Sequence, residues 1–232
     1  MARSQISPAT EDYLRTIYAL EEEIKPVIAA RVAEEVGVTP STMVSTLRRL
    51  EREGYLKVLR RKEIHLTAEG KQVAEKILRR HFLLERFLTD LLGLDWVKAH
   101  QEAHRLEHAV SQEVEDRLAK LLHYPTTCPH GNPIPDKDSK RAQKKVGSPL
   151  NSVVAGREVE LDYITEGGER DARLLGFLQE HRLVPGTKVR ILDVAPSLGT
   201  MSLKVGQDEF SLGIEAAKKS WALRSQEKVC II

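Results

Sequence analysis

The sequence predicts a mainly α-helical protein that carries a small β domain toward its C-terminal end. Three observations support this fold class. Apolar residues recur at helical spacing through most of the chain up to residue 122, whereas short segments after residue 157 alternate between apolar and polar residues. A proline-rich and charged stretch, residues 126–149, separates the two patterns.

The second and third predicted helices form a recognisable pair. Ser7-Pro8 is a helix start, and a second helix is predicted from about Val27 to Val36. Gly37 supplies a tight turn, and Thr39-Pro40 begins a third helix whose apolar positions, expected to be buried, are Met43, Val44, Leu47 and Leu50. Two short helices joined by a glycine turn are typical of the DNA-binding helix-turn-helix.

A charged hairpin follows this pair. Leu56–Val58 and Ile64–Leu66 alternate as strands around the tip RRKE, which predicts the wing of a winged helix. Residues 48–63 contain seven basic and three acidic side chains, a net charge of +4 (seven minus three). A solvated surface or a protein contact would also accommodate this charge. We expect short hydroxyl side chains to lie near DNA bases and arginines to lie near phosphates. The hydroxyl residues are Thr39, Ser41, Thr42 and Ser45, and the arginines are Arg49, Arg60 and Arg61.

Two long helices are predicted next. Thr67 caps one that continues to about Leu92, and Asp95 begins another that reaches about Leu122. Together they carry more leucine and valine than one helix pair can bury, which predicts a dimer interface. In the C-terminal part, the segments REVELDYIT, TKVRILDVA, MSLKVG and EFSLGI predict strands, with a helix at about Asp171 to Glu180. A small β-barrel fits this pattern.

Composition excludes several classes. No apolar run is long enough to span a membrane, and the N-terminal residues lack the apolar core of a signal peptide, so a cytoplasmic protein without a membrane partner is predicted. Cys128 and Cys230 lie far apart and are expected to be reduced thiols rather than a disulfide framework.

The segment HRLEH carries the most specific chemistry. His104, Glu107 and His108 match H-x-x-E-H, the inverted zinc-protease motif. On a continuous helix they would share one side with His100, and His81 and Glu85 are also four residues apart on the preceding helix. Imidazole and carboxylate donors suit manganese, iron, cobalt, nickel and zinc.

Three functions compete for this pattern. A zinc-dependent hydrolase would use HRLEH to activate water, although no feature of the sequence supplies a substrate cleft. A winged-helix regulator that answers an organic ligand would leave the histidines structural. The position of the motif after a winged helix favours a metal-activated DNA-binding regulator, and hence no enzymatic activity.

Several stretches resemble one family, the diphtheria toxin repressor and manganese transport regulator family of metal-dependent transcription factors. They are EDYLRTIYALEEE, the helix-turn-helix, RRHFLLERFLTDLLGLDWVKAHQEAHRLEHAVSQEVEDRL and GNPIP. The resemblance implies a winged-helix domain at 1–73, a helical dimerisation and metal-binding domain at 74–140, a linker at 141–152 and an SH3-like (FeoA-like) barrel at 153–232. It also implies a homodimer on a palindromic DNA operator.

The resemblance further implies two or more metal sites per subunit. The primary site would carry over to Asp12, His104, Glu107 and His108, and the ancillary site to His81, Glu85, His100, Glu166 and Glu169. Iron-responsive members have methionine and cysteine where this chain has Asp12 and His104. The small manganese regulators have a further glutamate where this chain has Arg15. We therefore expect Mn(II) as the activating ion, with Fe(II) as the alternative, and a role in repressing manganese or iron homeostasis genes.

Overall fold

The computed structural model describes residues 6–23, 25–137 and 147–224, and the chain divides into two compact units. The first unit is built from the segments Met1–His81, Arg105–Glu115 and Pro135–Ala142, and the second from Phe82–His104, Asp116–Ile134 and Gln143–Ile232. The first half of the predicted linker, residues 141–146, and Cys230 lie outside the described residues.

The first unit begins as a winged helix, as the sequence predicts. Its helices are α1 (Pro8–Glu23), α2 (Ala29–Val36) and α3 (Pro40–Arg52), and its hairpin strands are β1 (Leu56–Val58) and β2 (Ile64–Leu66). Gly37 adopts a left-handed conformation with φ of 73° that ends α2, and the Thr39 side chain accepts a hydrogen bond from the backbone N–H of Thr42 to start α3. The strands pair antiparallel, with Leu56 opposite Leu66.

One predicted core position is wrong. The buried stripe of α3 consists of Met43, Leu47 and Leu50, whereas Val44 is 43% exposed. The stripe follows the i, i+4, i+7 spacing of one helix face, and Val44 lies about 100° around the helix from Met43. Val44 therefore belongs to the same exposed side as Ser45.

The helix predicted from Asp95 to Leu122 is two helices. After α4 (Ala68–Arg86) and a π-helical segment (Phe87–Leu91), α5 spans Trp96–Leu106 and α6 spans Gln112–Leu121. The N–H of Ala109 bonds the carbonyl of Leu106 and closes a turn, and the Ser111 hydroxyl accepts from the N–H of Val114 at the start of α6. Glu107 and His108 therefore lie in a turn after α5, not on a continuous helical stripe.

The second unit contains one antiparallel six-stranded sheet among its described residues. The strands are β3 (Ser148–Pro149), β4 (Glu158–Ile164), β5 (Lys188–Ala195), β6 (Thr200–Val205), β7 (Asp208–Gly213) and β8 (Ser220–Arg224), in the order β3-β8-β4-β5-β6-β7. Short helices α7 (Glu166–Glu169), α8 (Ala172–Glu180) and α9 (Ile214–Lys218) connect them. The small β domain is confirmed, and β3 and β8 are additional to the predicted strands.

None of the helices in the described parts of the chain has the length and apolarity needed to cross a membrane.

The two sides of α3 predict a stability contrast. Leu50 is 0% exposed, so Leu50→Ala should lower the free energy of unfolding of the winged helix by about 2–5 kcal/mol through lost burial and a residual cavity. Val44→Ala on the same helix should cost less than about 0.5 kcal/mol. Urea unfolding followed by circular dichroism measures both, and equal costs would contradict the assignment of Val44 to the exposed side.

Candidate metal centres

The first candidate centre lies in the first unit, where α1 meets the turn after α5. Nε2 of His108 is 3.2 Å from Oδ1 of Asp12 and 3.5 Å from Oε1 of Glu107. One donor atom from each of these three residues lies within 4.8 Å of the others. Nδ1 of His108 is held 2.7 Å from Oε2 of Glu11, which fixes the ring with Nε2 directed at Asp12. We call Asp12, Glu107 and His108 the primary cluster.

One atom of this cluster stands out. Oδ1 of Asp12 is buried, yet it accepts no hydrogen bond from any described residue. A buried carboxylate oxygen without a donor is costly, and a bound cation would satisfy it. The donor set of the primary cluster therefore fits a divalent metal ion. His104 is exposed on α5, four residues before His108, and is the last residue of the second unit.

Glu107 also takes part in a buried network that the sequence did not predict. Nη1 of Arg15 donates to both carboxylate oxygens of Glu107, at 3.2 and 3.0 Å. Nδ1 of His81 lies 2.5 Å from Oε2 of Glu107 and 3.2 Å from Nη1 of Arg15. His81, expected in the ancillary site, thus contacts a residue expected in the primary site.

The second candidate centre lies entirely in the second unit. Oε1 of Glu85 on α4 is 2.8 Å from Nδ1 of His100 on α5, and Glu169, the last residue of α7, brings its carboxylate within 4.8 Å of both. Glu166 does not join this cluster among the described residues, and its Oε2 lies 3.7 Å from Nη2 of Arg170 instead.

Two further donors complete the second centre, and sequence reasoning missed both. Glu85, Cys128, His130 and Glu169 form a fully buried group whose donor atoms lie within 4.8 Å of one another; we call these four residues the secondary cluster. Nδ1 of His130 is 3.3 Å from Glu85 and 3.2 Å from Glu169, while Nε2 has no hydrogen-bond partner among the described residues. The signal that could have found them is the tripeptide Cys128-Pro129-His130, which places two ligand residue types two positions apart. The sequence pattern of this segment predicts only an irregular loop.

The loop that carries these donors is fastened to the β sheet. The N–H of Ile164 bonds the carbonyl of His130, and Nδ2 of Asn132 donates to the Ile164 carbonyl at 2.6 Å and to Oε1 of Glu169 at 2.5 Å. Gly131, with φ of 87°, is required here, because a Cβ would lie 2.1 Å from the carbonyl oxygen of Asp162. The edge of the Trp96 ring packs on His130 at a centroid distance of 4.8 Å.

Burial and neighbouring charges shift the acid–base chemistry of the secondary cluster. Burial raises the pKa of the Cys128 thiol to about 12, and the Glu169 carboxylate adds to the shift. For His130, burial alone would lower the pKa, but Glu85 and Glu169 raise it, and the net result is a pKa well above its ordinary value of 6.5. Without a metal, an imidazolium between two carboxylates therefore offsets part of their negative charge.

The candidate DNA surface lies on α3 and the hairpin. Thr39, Ser41, Thr42 and Ser45 are exposed, as expected. Arg60 and Arg61 are exposed at the hairpin tip, where Arg61 has a φ of 65°. Arg49, in contrast, donates within the first unit, to both oxygens of Glu53 and at 3.2 Å to the hydroxyl of Thr10.

A winged helix with buried carboxylate–imidazole clusters defines the class of a metal-dependent DNA-binding regulator, and the comparisons agree. Residues 5–64 match the family model for the iron dependent repressor N-terminal DNA binding domain, residues 67–136 its metal binding and dimerisation domain, and residues 148–219 the FeoA domain. The chain belongs to the diphtheria toxin repressor and manganese transport regulator family. It is therefore a DNA-binding regulator of transcription and not a hydrolase.

Individual relatives support the same assignment. The chain is 36% identical to the iron-dependent repressor IdeR of Mycobacterium tuberculosis over 225 residues, which cover 92% of this chain and 96% of the relative. It is 46% identical to the diphtheria toxin repressor of Corynebacterium diphtheriae over 129 residues, 56% of this chain and 57% of the relative. A solved manganese-dependent transcriptional repressor in complex with manganese is 29% identical, with a TM-score of 0.84 over 93% of this chain and all of that one.

The raised pKa of Cys128 predicts an unreactive thiol. At pH 8, in chelator, iodoacetamide should alkylate a Cys230→Ser variant very slowly when folded, because the thiolate is the nucleophile and a pKa of about 12 keeps the buried sulfur protonated. In urea the ordinary pKa returns and alkylation should be rapid. Mass spectrometry counts the modified chains. A folded protein that reacts as fast as the unfolded one would contradict the buried thiol.

Proposed function

We propose that this chain is a homodimeric repressor that binds a palindromic DNA operator when Mn(II) or Fe(II) occupies two sites in each subunit, and that it controls manganese or iron homeostasis genes. Relatives named as iron-dependent and manganese-dependent repressors support both ions as candidates. The observation that carries the proposal is the buried Oδ1 of Asp12, which faces Nε2 of His108 at 3.2 Å with no hydrogen bond to satisfy it.

In this proposal the primary cluster activates DNA binding. Asp12 belongs to α1 of the winged helix, whereas Glu107 and His108 belong to the turn after α5. The resemblance adds His104 as a fourth ligand. A divalent ion supplies the positive charge that these donors share. Asp12 and His108 then hold the first turns of α1 in one position, which selects one arrangement from those that α1 samples.

A hydrogen-bonded path leads from that position to the DNA surface. Thr10, buried and two residues before Asp12, accepts a hydrogen bond from Arg49 of α3. The hydroxyl of Ser7 lies 3.0 Å from that of Thr10 and extends the contact to the start of α1. Holding α1 in place at Asp12 therefore also holds Thr10, the hydrogen-bond partner of Arg49. Arg49 lies on α3, the helix that we propose contacts DNA bases.

The DNA contacts divide by chemistry. We propose that the exposed hydroxyls of α3 meet base edges in the major groove. Arg60 and Arg61 at the hairpin tip then meet phosphates, and Arg49 joins them if it exchanges Glu53 for a phosphate. A palindromic operator follows from a two-fold symmetric dimer. Apolar side chains left exposed on the dimerisation segments support that dimer; they are Leu91, Leu92, Leu106, Val114 and Leu121.

We propose that the secondary cluster is the second metal site. Its four donors are a thiol, an imidazole and two carboxylates, and Nε2 of His130 has no partner among the described residues. His100 is 2.8 Å from Glu85 and groups with Glu169 in the same unit, so it remains a proposed ligand, and the resemblance keeps His81 as another. A thiolate donor favours softer ions than the oxygen and nitrogen donors of the primary cluster.

Removal of one primary ligand should uncouple DNA binding from metal. His108→Ala deletes the imidazole that faces Asp12, so it should abolish Mn(II)-dependent binding and leave a folded dimer. The DNA is the palindrome that the wild-type protein selects from a random library with Mn(II), and fluorescence anisotropy measures binding. His181→Ala, a histidine in the second unit outside both clusters, is the matched control and should bind like the wild type. If His108→Ala binds this DNA at wild-type affinity in chelator, metal activation through the primary cluster is wrong.

The donor chemistry of the primary cluster also predicts the preferred ion. Asp12 and His104 offer oxygen and nitrogen where iron-responsive members have sulfur, so Mn(II) should activate DNA binding at least as well as Fe(II). Asp12→Met combined with His104→Cys should shift the response toward Fe(II). Anaerobic titrations of the same DNA with each ion compare the two proteins. A wild-type protein that responds to Fe(II) and ignores Mn(II) would refute this preference and leave metal activation itself intact.

A further inference from the structure

Arg15 places a permanent positive charge inside the primary cluster. It lies on α1, three residues after Asp12, and is 5% exposed. Its Nη1 contacts both carboxylate oxygens of Glu107, which is 0% exposed, and also Nδ1 of His81. A guanidinium stays protonated at any physiological pH, so this charge is always present.

The charge balance of the cluster follows from these contacts. Asp12 and Glu107 contribute two negative charges when ionised, and Arg15 cancels one of them. Arg15 therefore makes the charge that an incoming divalent cation meets one unit less negative than the two carboxylates alone would make it. In a water-poor setting, charges a few ångströms apart interact strongly, so the guanidinium opposes the entry of a second cation at the oxygens it already holds.

We infer that Arg15 sets the metal affinity of the primary cluster by neutralising Glu107 in the metal-free protein. This inference rests on the proposed function, because it concerns the same cluster. With Arg15 in place, its hydrogen bonds hold the Glu107 carboxylate in position without a metal, and the cluster fills only at higher metal concentration. Arg15 is then the residue that fixes the threshold of the sensor.

A purely structural role for Arg15 predicts the opposite change in Mn(II) affinity when Arg15 is replaced. If the guanidinium only shaped the cluster, its loss would disturb Asp12, Glu107 and His108 and weaken metal binding. If it competes with the ion for Glu107, its loss makes the metal the main counter-charge of a buried carboxylate. Metal affinity then rises while the stability of the metal-free protein falls.

The test measures Mn(II) binding by isothermal titration calorimetry and thermal unfolding in chelator. Arg15→Gln should tighten the His108-dependent Mn(II) site by about tenfold or more and lower the unfolding temperature of the metal-free protein. Arg15→Lys keeps the charge, so its Mn(II) affinity should stay within about threefold of the wild type, a difference of about 0.7 kcal/mol. Should Arg15→Gln not fold, Arg15→Met retains an apolar stem for packing and must show the same tightening.

Two controls isolate the effect. Arg79 donates to the buried carboxylate of Glu115 at 2.9 Å in the same unit, so Arg79→Gln should lower stability without tightening Mn(II) binding. When His108→Ala is already present, adding Arg15→Gln should leave the Mn(II) affinity unchanged, because His108→Ala has removed the site on which Arg15 acts.

The outcomes separate this inference from the proposed function. Unchanged or weaker Mn(II) binding by Arg15→Gln, with a His108-dependent site present in the wild type, overturns the role of Arg15 alone. A wild-type protein without any His108-dependent Mn(II) binding overturns both.

Discussion

The buried carboxylate of Glu107 is the constraint on which the first unit depends. A charge removed from water is tolerated only with close counter-charges and hydrogen bonds, and Arg15 and His81 supply them. Those two residues come from α1 and α4, so one carboxylate joins the winged helix to the turn after α5. The same turn places His108 beside Asp12. This packing therefore brings the residues of the primary cluster together.

The two clusters solve the problem of buried charge differently. In the primary cluster a permanent cation, Arg15, balances a carboxylate, and Asp12 and His108 are only partly buried. In the secondary cluster every donor is fully buried, and Glu85 and Glu169 raise the pKa of His130, so that a proton there offsets part of their negative charge. The first arrangement leaves an accessible group of oxygen and nitrogen donors, and the second an enclosed one that includes sulfur. In the proposed function, two clusters with different donors and different access would suit different ions.

In the proposed function, α1 rather than the helix-turn-helix itself couples metal binding to DNA binding. The buried side chains of α2 and α3 form part of the winged-helix core, and the hydroxyl residues of α3 are exposed. The hydrogen bond from Arg49 to Thr10 joins the N-terminal part of α1, which carries Asp12, to α3. A change at Asp12 can therefore reach α3 through the buried Thr10 hydroxyl, and Glu21, near the other end of α1, accepts a hydrogen bond from the N–H of Leu66 in the hairpin.

The sequence by itself determined the elements whose cause is local. Helix caps, tight turns and strand alternation depend on residues a few positions apart, as at Thr39, Gly37 and the strands β1 and β2. The ligand residue types of HRLEH are likewise visible in the sequence itself. Tertiary structure decided the rest. The break after Leu106 accompanies a carboxylate whose partner Arg15 lies 92 residues away in the chain, and the role of Cys128 and His130 appears only when Glu85 and Glu169 are packed beside them. Periodicity reports which face of a helix is apolar, but the position of a buried charge is set by the counter-charge that the fold brings to it.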